Sequence, residues 1–387
     1  MIIFSGRRLS TAAVAAALLA ACGGSSSHKS HVSLTTGAAA QVVIGQADFV
    51  SGSENQGGSV AANTISRPWG SPAVVGKALF LPDFGNNRVL GFKSVPSTNG
   101  ASADFALGQS DLTSNGSGLS ATALSAPEEV SSSAGKLVLV DADNVRVLVW
   151  NTVPSTTGVA ADVVVGQADM SSSSSACDAA TLEDSEGALT AHGKLIVSDK
   201  GNSRVLIWDT IPTTNGKAAD LVLGQADFTH CQTNAGGAAS ASTMNSPEGV
   251  WSDGTRLVVA DSRNNRILIW NAFPTASGQA ADVVLGQADF TGTGSDTTAT
   301  ALNWPVSVSS NGTQIAVADA DNNRVLVWNA FPTANGAAAD AVLGQPDFTS
   351  SGTGTSATAM SKPGSVLLTG DMLVVGEWSN NRYLIFQ

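Results

Sequence analysis

The chain has 387 residues, 40 of them glycine, with 8 tryptophans, 1 tyrosine, only 13% charged residues and a formal net charge of -12. An acidic balance of this size repels a phosphate backbone or an anionic lipid surface, which excludes nucleic acid as a partner. Abundant Ser, Thr, Ala and Val with no long amphipathic helical pattern excludes a helix bundle and describes a β-rich protein of the extracytoplasmic kind.

The N-terminus reads as a processing segment. Arg7 and Arg8 form a short basic region, Leu9 to Ala21 an apolar run of 13 residues, and Leu19-Ala20-Ala21-Cys22 closes it with small residues before a cysteine. Thirteen residues are too few for a ~30 Å hydrocarbon core, which needs about 20. Leu-Ala-Ala-Cys resembles the lipobox of bacterial lipoproteins, which implies a signal peptide over 1–21, cleavage before Cys22 and acylation of its thiol. The residues around Arg7-Arg8 do not otherwise match a twin-arginine signal. Residues 22–38, headed by Gly23-Gly24-Ser25-Ser26-Ser27, hold too little apolar surface to offset ordering entropy and are expected to form a flexible tether. The folded part is expected over 39–387.

Self-similarity dominates that part. A D-x-x-N-x-R-like motif recurs at Asp83–Arg88, Asp141–Arg146, Asp199–Arg204, Asp261–Arg266, Asp319–Arg324 and Glu377–Arg382, its arginines 58 or 62 residues apart. A Gly-Gln-Ala-Asp-Phe-like motif places Gln46, Gln109, Gln167, Gln225, Gln287 and Gln345 on a similar period. Within a unit the pattern predicts four strands: around Gly249–Ser252, Leu257–Ala260, Arg266–Trp270 and Asp282–Gln287, with a Pro274–Gly278 turn before the last. The runs are apolar on consecutive residues, so both sheet faces are expected to be buried, as in radially packed blades. The last unit stops at Gln387 after its third strand, and the missing fourth is found in Val42–Gln46. The expectation is an all-β, six-bladed propeller of four-stranded antiparallel blades, closed by the N-terminal strand completing the last blade.

Asp261-Ser-Arg-Asn-Asn-Arg-Ile267 and Pro247-Glu-Gly-Val250 resemble the NHL repeat, and the resemblance covers roughly 39–387. It implies a six-bladed propeller. The repeats are longer than the family's usual unit, the excess lying in Ser/Thr/Gly-rich connections such as 291–301.

One Asp and one Arg per blade at a fixed strand end suit an internal role, the Asp organising the turn and pairing with Arg; the repeated Gln is expected to bond neighbouring backbone. Function is expected where symmetry breaks. The residue after the recurring proline, or its equivalent, is Trp69, Glu128, Glu186, Glu248, Val306 and Gly364 in turn. If it faces the channel mouth, Glu128, Glu186 and Glu248, with Glu129 and Asp184 beside them, converge on a hard-cation site suited to calcium or another divalent ion, or form a solvated acidic rim. Trp69 and Trp304 lie in the same region and suit either an apolar platform for a sugar or peptide or packing between blades.

Of the four histidines, His28 and His31 fall in the tether, and His192 and His230 show no zinc-ligand spacing; no G-x-S-x-G elbow is present. Cys177 and Cys231 follow the same element of adjacent repeats and form either a disulfide or two free thiols. The expected function is a monomeric, lipid-anchored binding or scaffolding module for a protein, peptide or glycan at the cell envelope, on the outer membrane if the cell has one. The alternative is a lactonase-like metal-dependent hydrolase, or a lyase, working through the carboxylate cluster.

Overall fold

The computed structural model describes Met1, Ile2 and residues 32–387. The basic and apolar regions of the expected signal peptide and Cys22 lie outside the described residues. Among the described residues, twenty-four strands form six separate four-stranded antiparallel sheets. In a typical blade, the fourth, the strands run Pro247–Ser252, Leu257–Asp261, Arg266–Trp270 and Val283–Leu285, hydrogen-bonded in chain order. The first strands of successive blades pack against one another and so surround the central channel. The protein is a six-bladed β-propeller.

The blades hold together because their strands are apolar on both faces. Leu257, Val258, Val259, Ala260, Ile267, Leu268, Ile269 and Trp270 are all fully buried. Alternate residues of one blade belong to different core clusters, those with Val258 and Ile269 facing the fifth blade and those with Val259 and Leu268 facing the third. Each sheet therefore contributes apolar area to two interfaces, which is the main term favouring the ring.

The recurring polar residues bind each blade internally. In every blade the arginine Nε lies 2.5–2.7 Å from the Asp, or Glu377, five residues earlier, with both side chains fully buried. The same carboxylate accepts from the Asn at the fourth motif position and from a backbone N–H sixteen or seventeen residues before it, as Asp83 does from Asn86 and Ser66. The arginine's remaining N–H groups donate to three loop carbonyls; for Arg88 these are Ala61, Thr64 and Leu112. In these six pairs each buried charge is thus met by an opposite one and four of the arginine's five N–H donors are used, a condition under which such a group is tolerated. The repeated glutamines join the end of the motif to the following loop, as Gln109 does in donating to Asn87 and Gly116 carbonyls.

Closure follows the expected route: Val42–Ile44 pairs antiparallel with Arg382–Phe386 as the outer strand of the sixth blade. The expected tether ends earlier than Ala38, however. Val32 and Leu34 are buried against the fifth and sixth blades. Thr36-Gly37 repeats a turn found in every other unit: Gly37 N–H donates to the Val342 carbonyl and Thr36 Oγ1 accepts from Val342 N–H, as Gly216 and Asn215 do at Val164. The stretch Val32–Gln41 aligns without a gap on Ile211–Asp220, so it is the outer turn of the repeat rather than linker.

Cys177 and Cys231 are joined by a disulfide, their Cα atoms 6.2 Å apart. It links the long loop after the second blade to the one after the third.

Candidate functional site

The six residues two positions before the symmetry-breaking one are Arg67, Ala126, Asp184, Ser246, Trp304 and Lys362, and all have left-handed backbone, with φ between 46° and 53°. For a non-glycine residue this costs about 1–2 kcal/mol. The neighbouring blade compensates: the N–H of Ala126 donates to Asn87 Oδ1, that of Trp304 to Asn265, that of Lys362 to Asn323 and that of Arg67 to Asn381, at 2.8–2.9 Å. In five blades the pairing of the first two strands is irregular immediately afterwards, for instance between Pro127 and Val130 and between Pro247 and Val250. Bulges of this kind re-aim side chains, and here they turn Glu128, Glu186 and Glu248 into the channel.

The three glutamates meet there as expected, with Glu128 4% and Glu248 1% exposed. Among the described residues no group of three or more His, Cys, Asp or Glu side chains is arranged to hold a metal ion. The cation is supplied by the protein: Lys200 Nζ pairs with Glu186 and lies 3.2 Å from Asp184. An ammonium in the midst of the carboxylates opposes a divalent ion electrostatically and engages oxygens of Glu186 and Asp184. Nor is the cluster a solvated rim, since its glutamates are buried.

Opposite the acids stands an aromatic wall. Trp69, 7% exposed, lies with its ring centroid 5.5 Å from Trp304 and 5.2 Å from Trp378, and Phe84 packs 5.2 Å from Trp378. Trp69 is therefore interior to a stack rather than an open platform, while Trp304, Trp378 and Phe84 remain partly exposed. The two halves are connected: Trp69 Nε1 donates to Glu186 at 3.4 Å and Trp304 Nε1 to Glu248 at 3.0 Å. Lys362 Nζ lies 4.5 Å from the Trp304 ring centroid, in cation–π range. Together they line a cavity of about 310 Å³ at the mouth, beneath which the channel narrows to about 10 Å³ between Glu128, Glu186 and Glu248. A second cavity of about 220 Å³ opens at the opposite face, with Glu129 at its inner end.

Burial governs the charge state. Desolvation, then the repulsion of Glu186, pushes Glu128 and Glu248 well above the usual carboxylate range. Glu129 is pushed up to about 8 by desolvation. Burial pulls Lys200 down, but Glu186, Glu248 and Asp184 outweigh it and keep the ammonium charged.

Reading the sequence missed Lys200, Trp378 and Phe84. All three follow the repeated acid of the D-x-x-N motif, where the six residues are Phe84, Ala142, Lys200, Ser262, Ala320 and Trp378. That position varies as much as the one that was compared, and the same comparison would have found it. Gly364 occupies the mouth ring for a steric reason: a Cβ there would lie 2.4 Å from Trp69 Cε3.

No protein-family model matches this chain, and no curated protein does. Among solved structures, the computationally designed Ika8 protein aligns over 82% of this chain and 70% of its own with 8% identity and a TM-score of 0.39. The likeness is too low to carry an argument, and the propeller assignment rests on the strand order itself. Among the described residues no helix is long and apolar enough to cross a membrane.

Proposed function

We propose that this chain is an exported lipoprotein, acylated at Cys22, whose NHL-type propeller is a monomeric binding module at the cell envelope and takes a segment of a protein, peptide or glycan into the channel mouth. One observation carries the reading. Positions that hold each blade together repeat one acid–Asn–Arg set six times, whereas the mouth combines three acids on successive blades with Trp69, Trp304, Trp378 and Phe84 across from them. A few polar groups facing an apolar wall is the composition of ligand sites, and only an asymmetric lining can orient an asymmetric ligand. The disulfide agrees with an oxidising compartment. A metal-dependent hydrolase or lyase gains no support from a cluster that holds an ammonium, with Lys200 and one indole on Glu186 and a second indole on Glu248.

Two measurements test the proposal. Detergent phase partitioning of the wild type and Cys22→Ser should show the anchor lost in the variant; equal partitioning overturns it. Titration of envelope peptides and glycans, read by tryptophan fluorescence, should find ligands whose binding Trp304→Ala weakens at least tenfold. Ligands indifferent to Trp304 would move the site elsewhere, and turnover of lactones or esters would replace binding by catalysis.

A further inference from the structure

We infer that the mouth selects a primary ammonium carried on an apolar stem, seating the ammonium between Glu128 and Glu248 and laying the stem against the indoles. The inference rests on the reading of the mouth as a binding site and names the chemistry of what binds.

The acids outnumber their partners. Lys200 is engaged by Glu186 and Asp184, the Trp69 indole by Glu186 and the Trp304 indole by Glu248 Oε1. This leaves Glu128 Oε2 and Glu248 Oε2 buried with no protein donor, both on the walls of the narrow part of the channel. An acceptor buried without a donor is costly, and two converging on one space ask for a group with several donors. The space of about 10 Å³ is close to that of a single water. A primary ammonium is compact, carries three donors and no acceptor, and brings the missing positive charge.

Other ligand heads fit less well. A quaternary ammonium suits an aromatic wall but is too wide for the constriction and has no N–H. A planar guanidinium wants a bidentate partner in one plane, whereas the two free oxygens come from different blades. An anion meets the carboxylates. A divalent ion meets Lys200 and finds no set of ligands. Lys200 itself demonstrates the match, being an ammonium on a four-carbon stem among these same acids. Above the constriction, the cavity of about 310 Å³ walled by Trp69, Trp304, Trp378 and Phe84 has room for an alkyl or aryl stem. A lysine side chain of a peptide and a free arylalkylamine share this chemistry.

The test uses the full chain in neutral detergent, titrated calorimetrically with 2-phenylethylamine, 2-phenylethanol, phenyltrimethylammonium and an acetyl-lysine amide peptide cap. The amine should bind at least tenfold more tightly than the alcohol and the quaternary cation. Its heat should vary with the ionisation enthalpy of the buffer, because seating the ammonium expels protons held by the acids. Glu128→Gln should reduce amine affinity tenfold or more and leave the alcohol unchanged. Should that variant fold poorly, the amine-to-alcohol ratio and the buffer dependence on the wild type decide alone. Equal binding of amine and alcohol, or no proton release, overturns the inference while leaving the mouth a binding site. Binding of neutral glycans or peptides but of no amine does the same. Failure of every ligand class overturns the broader proposal as well. Preference for the capped lysine over phenylethylamine assigns the ligand to peptides, and the reverse to small amines.

Discussion

Arg382 donates from Nη1 to the carbonyl of Phe49, a residue 333 positions earlier. In each of the other five blades the equivalent bond reaches a carbonyl only 24 residues later, as from Arg88 to Leu112. The bond that elsewhere tidies a loop here joins the two ends of the fold, and with the pairing of Val42–Ile44 against Tyr383–Ile385 it closes the ring.

Arg382→Ala should destabilise the protein by about 3–5 kcal/mol, because it leaves Glu377 charged and buried without its partner. Adding Glu377→Gln should recover part of the loss. Urea denaturation of the two single variants and the double variant measures this, and strictly additive effects would contradict the coupling.

Glu129 makes stability depend on pH. Its carboxyl is pushed from the ordinary 4.5 to about 8 by burial. Below 4.5 folded and unfolded forms both hold the proton, and the contribution is intact. Between 4.5 and 8 the unfolded chain releases it freely while the folded one retains it, so stability falls as pH rises and levels off above 8. Glu129→Gln should flatten the curve in that window. Midpoints measured from pH 4 to 9 check it, and parallel curves for the two proteins would refute it.

Reduction of the Cys177–Cys231 bond should cost about 2–4 kcal/mol. A lower melting temperature in reductant, absent from a Cys177→Ser, Cys231→Ser variant, is the expected result.

Gly364→Ala should disturb the aromatic wall selectively. The new methyl group meets Trp69 Cε3 at 2.4 Å, so the indole must shift and its bond to Glu186 with it. Near-ultraviolet circular dichroism should change while the far-ultraviolet spectrum stays the same; an unaltered aromatic signal would show that the wall gives way elsewhere.

What could be read beforehand follows from where the information sits. The blades were legible because Asp261–Arg266 and its five counterparts spell the same buried ion pair, with Glu377 in place of the Asp once, and loss of either partner would strand a charge. The last blade was legible because its absent outer strand has the apolar pattern found at Val42–Ile44. Val32–Gln41 escaped notice because Ser33, Leu34 and Gln41 replace the Pro, the Ser or Thr, and the Asp of the other turns, hiding a match that lies in backbone hydrogen bonds. The convergence of Glu128, Glu186 and Glu248 followed from register, since equivalent positions on neighbouring blades must meet at the axis. That they meet Lys200 rather than a metal ion did not, for its position carries no constant residue.

The left-handed residues at the start of each inner strand bear on how such a surface changes over time. Arg67, Ala126, Asp184, Ser246, Trp304 and Lys362 share a backbone state and nothing else. What the fold requires of them is one amide N–H, held in four cases by an asparagine of the preceding blade. The scaffold is therefore written in main-chain atoms, and the side chains above it are free to differ. A lineage carrying this propeller can replace the lettering around its opening one blade at a time, trading one specificity for another while the ring beneath remains the same.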